Sequence, residues 1–282
     1  MDAPASTDAR LHGEDDVAGV LQLGPRDASV SRLVPRPSDR LVLCYHSVSP
    51  HAATKLTVLR SALRRQLSTL LEDGYRGMTF EELVAGRRPE KGLAVTFDDS
   101  ELSVLDHALP ILSELGIPGT VFTPVGAVGS PGVTTWDDLS SLARSGWEVG
   151  SHACSHERLP NLDQDSLERE LRESRAAIED ALARPCRSIA YPYGAVDDRV
   201  RAAAAAAGYT AGCTTTGTLR SADPLRWPRV GVNGHDGFTV FRAKTSRTGR
   251  AVRGTRVGQL LELGGRLARD REAKAQSRLR QT

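Results

Sequence analysis

The sequence predicts an α/β fold built around a parallel sheet. Three observations carry that prediction. Short apolar runs alternate with helix-patterned segments of about ten or more residues, the rhythm of parallel strands joined by crossover helices. Of 282 residues, 39% are hydrophobic and 26% charged, the ordinary balance of a globular chain long enough to bury one full core. Polar residues able to do chemistry stand directly behind several strand-like runs, as they do at the mouth of a barrel. About seven strands fit either a barrel or an open doubly wound sheet, and periodicity leaves both open.

The first 38 residues are rich in Asp, Ser, Pro and Arg, with little apolar periodicity, and read as a disordered segment closed by Pro35-Arg36-Pro37-Ser38. Order is expected from Leu41-Val42-Leu43-Cys44-Tyr45, a β-type run ending at His46. A helix follows, with Leu59, Leu63, Leu67 and Leu70 on one face and Gly74 as its stop. Residues 93–97 form a strand. Residues 102–115 form a helix that Pro110 must kink or break. A strand at 119–122, a short helix at 137–144 and a strand at 147–151 come next. The helix at 166–182 aligns Leu167, Leu171, Ile178 and Leu182, and Asp165 with Glu168 resembles a capping box. A strand at 188–191, an Ala-rich helix at 197–207 closed by Gly208, and strands at 209–213 and 229–232 complete the series.

Composition narrows the function classes. No apolar run approaches the ~20 residues that span a bilayer. The polar, acidic stretch 1–16 lacks the pattern of a secretory signal, so a cytoplasmic or peripheral membrane-surface location is expected. The four cysteines, Cys44, Cys154, Cys186 and Cys213, are far apart and read as reduced thiols. Residues 242–282 hold 12 Lys and Arg against 3 Asp and Glu, whereas the preceding residues hold 25 against 32. That basic tail reads by default as a solvated arm. Its apolar stripe of Val257, Leu260, Leu261 and Leu267 also suits an anionic membrane surface or polymer. It has no aromatic residues for base stacking, so nucleic acid is not an expected partner.

The chemistry concentrates in two places. Thr96-Phe97-Asp98-Asp99 ends the run that begins at Gly92. Adjacent strand residues point to opposite faces, so both carboxylates reach one site only if the chain turns there. His152-Ala153-Cys154-Ser155-His156 follows a later strand. On a helical turn two His four apart share a face and can chelate one ion. Together they describe a two-His, one-carboxylate site for Zn²⁺ or a similar divalent ion, with positions open for water and substrate. The second Asp is left free as a base. Cys154, between the two His, is a weaker candidate ligand.

These motifs, in this order, resemble the NodB-like polysaccharide deacetylases, a family of carbohydrate esterases. Its T-F-D-D motif is matched without change. In its H-[ST]-x-x-H motif, His152 and His156 match, while Ala153 stands for the Ser or Thr and Glu157 for a following Pro. Its R-x-P-Y motif reads Ala190-Tyr191-Pro192-Tyr193, followed by Gly194, as Y-P-Y-G does in one branch. The resemblance covers residues 39–241. It implies a distorted (β/α) barrel, with Asp98 as general base and Asp99, His152 and His156 as metal ligands. The Tyr193 backbone N–H would be an oxyanion donor. The family's later L-x-H motif, source of the general acid, has no clear match. Leu43-Cys44-Tyr45-His46 instead resembles the N-terminal Y-H motif of the branch acting on poly-N-acetylglucosamine-like substrates, which implies His46 as the acid. The alternative, His235, lies in a turn-like stretch. Arg229 is the substitute considered for the missing motif Arg, and Asp223 a weaker match to the fourth motif.

The expectation is therefore a zinc-dependent hydrolase that removes an acetyl group from an N-acetylated saccharide. Two other readings are a hydrolase of the same fold acting on a non-sugar amide, and a catalytically dead carbohydrate-binding domain.

Overall fold

The computed structural model describes residues 40–51, 53–86, 91–215, 223–246 and 249–250. The expected N-terminal disordered segment, and the tail beyond residue 250 with its apolar stripe, lie outside the described residues. Eleven strands and seven α-helices are described. The strands are β1 (Leu41–Tyr45), β2 (Ser47–Ser49), β3 (Thr57–Leu59), β4 (Arg76–Gly77), β5 (Gly92–Phe97), β6 (Thr120–Thr123), β7 (Glu148–Ser151), β8 (Ser188–Ala190), β9 (Ala211–Thr214), β10 (Trp227–Pro228) and β11 (Val230–Gly231). The helices are α1 (Arg60–Glu72), α2 (Phe80–Val84), α3 (Leu109–Glu114), α4 (Trp136–Arg144), α5 (Gln164–Leu182), α6 (Asp198–Ala206) and α7 (Phe238–Thr245).

The main sheet is parallel, in the order β10-β9-β8-β7-β6-β5-β1-β11, with β4 added beside β5. Its two ends are one stretch of chain. Trp227 and Pro228 pair with Cys213 and Thr214 of β9, whereas Val230 and Gly231 pair with Leu43 and Cys44 of β1. Pro228 has no N–H to donate, and the chain changes partners beside it. Around that seam the Arg229 N–H donates to the Thr214 carbonyl at 2.9 Å and the Val232 N–H to the Cys44 carbonyl at 3.0 Å. The sheet thus curls nearly into a barrel with flanking helices, which decides the choice that periodicity left open.

The strands alternate between two apolar clusters. Leu41, Leu43, Tyr45, Leu93, Val95 and Phe97 point outward to the helices. Val42, Ala94, Phe122, Ala190, Ala211, Cys213 and Trp227 form a smaller inner cluster with Met78, Phe80 and Leu83. Two clusters on opposite faces of one sheet are what a closed barrel requires. At the N-terminal ends of the strands, α2 closes the interior. Its first N–H groups donate to Thr120 Oγ1 and to Glu148 Oε2, both at 2.9 Å. The C-terminal ends remain for chemistry.

Several boundaries differ from expectation for local reasons. Leu59 belongs to β3 rather than to the helix face, and α1 buries Leu63, Gln66, Leu67 and Leu70. Pro110 sits in the first turn of α3, where a missing N–H has no helical partner to lose, and the preceding turn Val104–Ala108 is a π-helix. Asp163, not Asp165, caps α5, accepting from the Ser166 N–H. The α7 helix continues past residue 242. The short pieces β2, β3, β4 and α2 have too few residues to establish a period.

Candidate metal centre and catalytic site

Asp98 and Asp99 reach one site because the chain turns between them. The Asp98 N–H extends the β5 ladder, donating to the Tyr45 carbonyl at 2.9 Å. Asp99 and Ser100 then take left-handed φ values of 67° and 44°. Such values are strained for side-chain-bearing residues and are held here by the surrounding structure.

The histidines do not lie on a helical turn, contrary to the sequence reading. They occupy a loop after β7 in which Ala153 and His156 have φ of 64° and 59°. The loop still brings both rings to one place. His152 Nε2 and His156 Nε2 lie 3.6 and 3.3 Å from Asp99 Oδ1. A tetrahedral zinc separates its O and N ligand atoms by about 3.3 Å, so the donors stand near coordinating distance already. His152 is 2% exposed, and its Nδ1 donates to the Ala190 carbonyl at 2.6 Å, leaving the Nε2 lone pair turned to the site. Burial, above all, lowers the His152 pKa and keeps the ring neutral, as a ligand must be. Two imidazoles and one carboxylate fit a divalent ion.

Asp98 is not among the three converging groups, and its partner is the arginine that the sequence offered for the missing motif Arg. Arg229 grips it with both ends of its guanidinium, Nη1 to Oδ1 at 2.6 Å and Nη2 to Oδ2 at 2.7 Å. Arg229 is 3% exposed, and Nη1 also donates to Thr96 Oγ1 at 3.0 Å. Burial alone would raise the Asp98 carboxyl. The Arg229 charge, with His152 and His46, outweighs it and holds Asp98 well below the usual carboxylate range. Asp99 is lowered against the same burial by its hydrogen bond with His156 and by His152. Arg229 sits at the seam between β10 and β11, so barrel closure itself delivers the cation to the carboxylate.

With that geometry in hand, the chain compares clearly with known proteins. The polysaccharide deacetylase family profile matches residues 85–212. Those residues form a polysaccharide deacetylase-family domain. The Bacillus subtilis protein YxkH is 26% identical over 193 residues, 67% of this chain and 68% of YxkH. The poly-β-1,6-N-acetyl-D-glucosamine N-deacetylase of Staphylococcus aureus is 25% identical over 207 residues, 61% of this chain and 70% of the enzyme. A crystal structure of a polysaccharide deacetylase from Bacillus cereus superposes with a TM-score of 0.66 at 25% identity, covering 73% of this chain and 69% of that one.

His46 and Tyr193 both stand beside the Asp and His groups of the site. His46 leaves β1 half-buried, with a ligand atom within 4.8 Å of the Asp98 carboxylate and the Cys44 sulfur. Tyr193 is in a turn after β8 at φ 58° and is 55% exposed. Its ring lies 4.9 Å from that of His156, with the Arg158 guanidinium 5.1 Å from its centroid. His235 is exposed in the turn closed by Asp236 and Asn233. Cys154 is no ligand in this geometry: its thiol donates to the Glu170 carbonyl, and burial with Glu170 and Glu173 pushes it up to about 12. Asp223 caps a 3-10 turn through the Leu225 N–H and lies 3.7 Å from Arg201.

Two participants escaped the sequence reading. Glu170 of α5 accepts the N–H groups of Cys154 and Ser155 at 2.7 and 3.0 Å, clamping the loop that carries both histidines. An acceptor of backbone N–H groups leaves no motif. Cys44 donates its thiol to Asp98 Oδ2 at 3.4 Å. That contact had a signal, because Cys44 and His46 are two apart at a strand end and Cys44 shares the inward-facing set.

Proposed function

We propose that this chain is a metal-dependent N-deacetylase of an N-acetylated amino-sugar polymer, of the poly-N-acetylglucosamine kind. The observation that supports it best is the division of labour among neighbours. Asp99, His152 and His156 converge on one point, while Asp98 is withheld from them by Arg229. A domain that only bound sugar would have no use for a second carboxylate held in its ionised form beside a metal centre. The Staphylococcus aureus relative, named for this activity, supports the substrate class.

Asp99, His152 and His156 would hold the ion, with Zn²⁺ the best match to their donor set. When bound, the ion supplies a Lewis acid for the acetyl carbonyl and makes water easier to deprotonate. Asp98 accepts the proton of the attacking water; its low pKa keeps it in the acceptor form throughout the neutral range. Arg229 fixes the orientation of both Asp98 oxygens. The Tyr193 N–H donates to the developing oxyanion. His46, at the end of β1 beside Asp98, protonates the departing amine, which leaves poorly without a proton.

The test is metal analysis of the purified chain followed by acetate release from β-1,6-linked N-acetylglucosamine oligomers. One ion per chain and acetate release are expected. His152→Ala and His156→Ala should each lose the stoichiometric ion, and retention of one tightly held zinc in either would refute the ligand set. A metal-loaded wild type that releases acetate only from non-sugar amides would move the substrate class.

A further inference from the structure

We propose that Cys44, His46 and Asp98 form a second, inhibitory site for a thiophilic divalent cation, next to the metal centre and separate from it. This rests on the deacetylase reading only for its consequence, inhibition; the binding itself does not depend on it.

The donor set is what a soft or borderline ion selects: one thiol, one imidazole and one carboxylate, with ligand atoms all within 4.8 Å of one another. None of the three belongs to the Asp99, His152 and His156 group. One pair is already spaced for metal. Cys44 Sγ and Asp98 Oδ2 are 3.4 Å apart, and a tetrahedral zinc separates its S and O ligand atoms by about 3.5 Å. An ion would replace the thiol proton on that line, and one proton would leave to solvent. Asp98 can accept it without releasing Arg229, because a carboxylate has about four lone-pair directions and the guanidinium uses two. Access comes through His46, which is half-buried at the barrel mouth, whereas Cys44 is 2% exposed.

The two sites differ in rank. Arg229 presents a positive charge beside the second one, and the thiol must first lose its proton. The Asp99 centre has neither handicap. The first equivalent of ion therefore fills the Asp99 centre, and only excess reaches Cys44. Occupancy there ties up both the base and the acid, so acetate release should fall on the order of 10²–10⁴.

The experiment titrates Cd²⁺ into the full chain preloaded with one equivalent of zinc, following the ultraviolet thiolate-to-cadmium band and, in parallel, acetate release. One added equivalent should raise the band and suppress activity together. Cys154→Ser should behave as wild type, while Cys44→Ser should lose the band and remain uninhibited relative to its own starting rate. A band that survives in Cys44→Ser, or inhibition without a band, overturns the site. If Cys44→Ser fails to fold, His46→Gln decides, since an unchanged cadmium affinity there also overturns it. A protein that shows the Cys44-dependent band but releases no acetate without cadmium keeps the site and rejects the deacetylase reading instead.

Discussion

At the residue scale the site turns on one buried ion pair. Asp98 and Arg229 are both nearly inaccessible, so removing either charge strands the other. Asp98→Asn should therefore do two things: lower turnover on the order of 10²–10⁴ while the ion stays bound, and lower unfolding free energy on the order of 3–5 kcal/mol. Denaturant melts and metal analysis on one preparation check both, and near wild-type turnover would exclude Asp98 as the base. His46 and His235 are separated by a different comparison. His46→Ala should lose on the order of 10²–10⁴ on an acetamido sugar and much less on an activated acetate ester, whose leaving group needs little protonation. His235→Ala should change neither, since its side chain is exposed in a turn and belongs to neither ligand-capable group among the described residues. A selective amide loss in His235→Ala alone would reverse the assignment. Asp98, Asp99, His152 and His156 were legible because motif order and strand ends both pointed to them. The grip of Arg229 was legible only in part: Arg229 stood as the substitute considered for the missing motif arginine, but a contact that spans 131 residues depends on where the barrel closes.

At the element scale, the loop after β7 replaces the helical turn that the His spacing suggested. Equal spacing produced the same convergence by another route: left-handed residues at Ala153 and His156 bend the loop, and Glu170 on α5 holds it by two backbone N–H groups. Gly126 helps, because a Cβ there would lie 2.9 Å from the Cys154 carbonyl that its own N–H bonds. Helix α5 thus acts on the metal centre without contributing a ligand. Removing such support elsewhere costs metal sites about 10–100-fold in affinity. Glu170→Ala should do likewise here, with the helical content by circular dichroism unchanged. An unchanged zinc affinity in a competition titration would mean that strand β7 and the Ala190 contact suffice to orient the rings.

At the scale of the whole molecule, the barrel separates its two ends by charge. The mouth concentrates the metal-ligating groups, whereas the opposite end of the strands holds the half-buried carboxyl of Glu148 beside α2. Glu148, at the start of β7, accepts from Thr120 Oγ1 at 3.0 Å and the Glu81 N–H at 2.9 Å, and from Ser188 Oγ. Burial raises its pKa above the ordinary 4.5, and those three donors only partly offset the shift. Between the ordinary and raised values the folded chain keeps a proton that the unfolded chain has released. Stability must then fall as pH rises through that window, the reverse of the lowered Asp98, whose contribution is lost as pH falls. Glu148→Gln removes the proton without changing the shape of the side chain, and its amide can still meet Ser188 and Thr120. The variant should gain on wild type as pH rises through the window that opens above 4.5, while acetate release, decided at the opposite end of the strands, stays the same. Denaturant melts across that range read the difference directly. Parallel curves for the two proteins would mean that Glu148 is ionised in the fold at no cost, and that its three donors balance its burial in full.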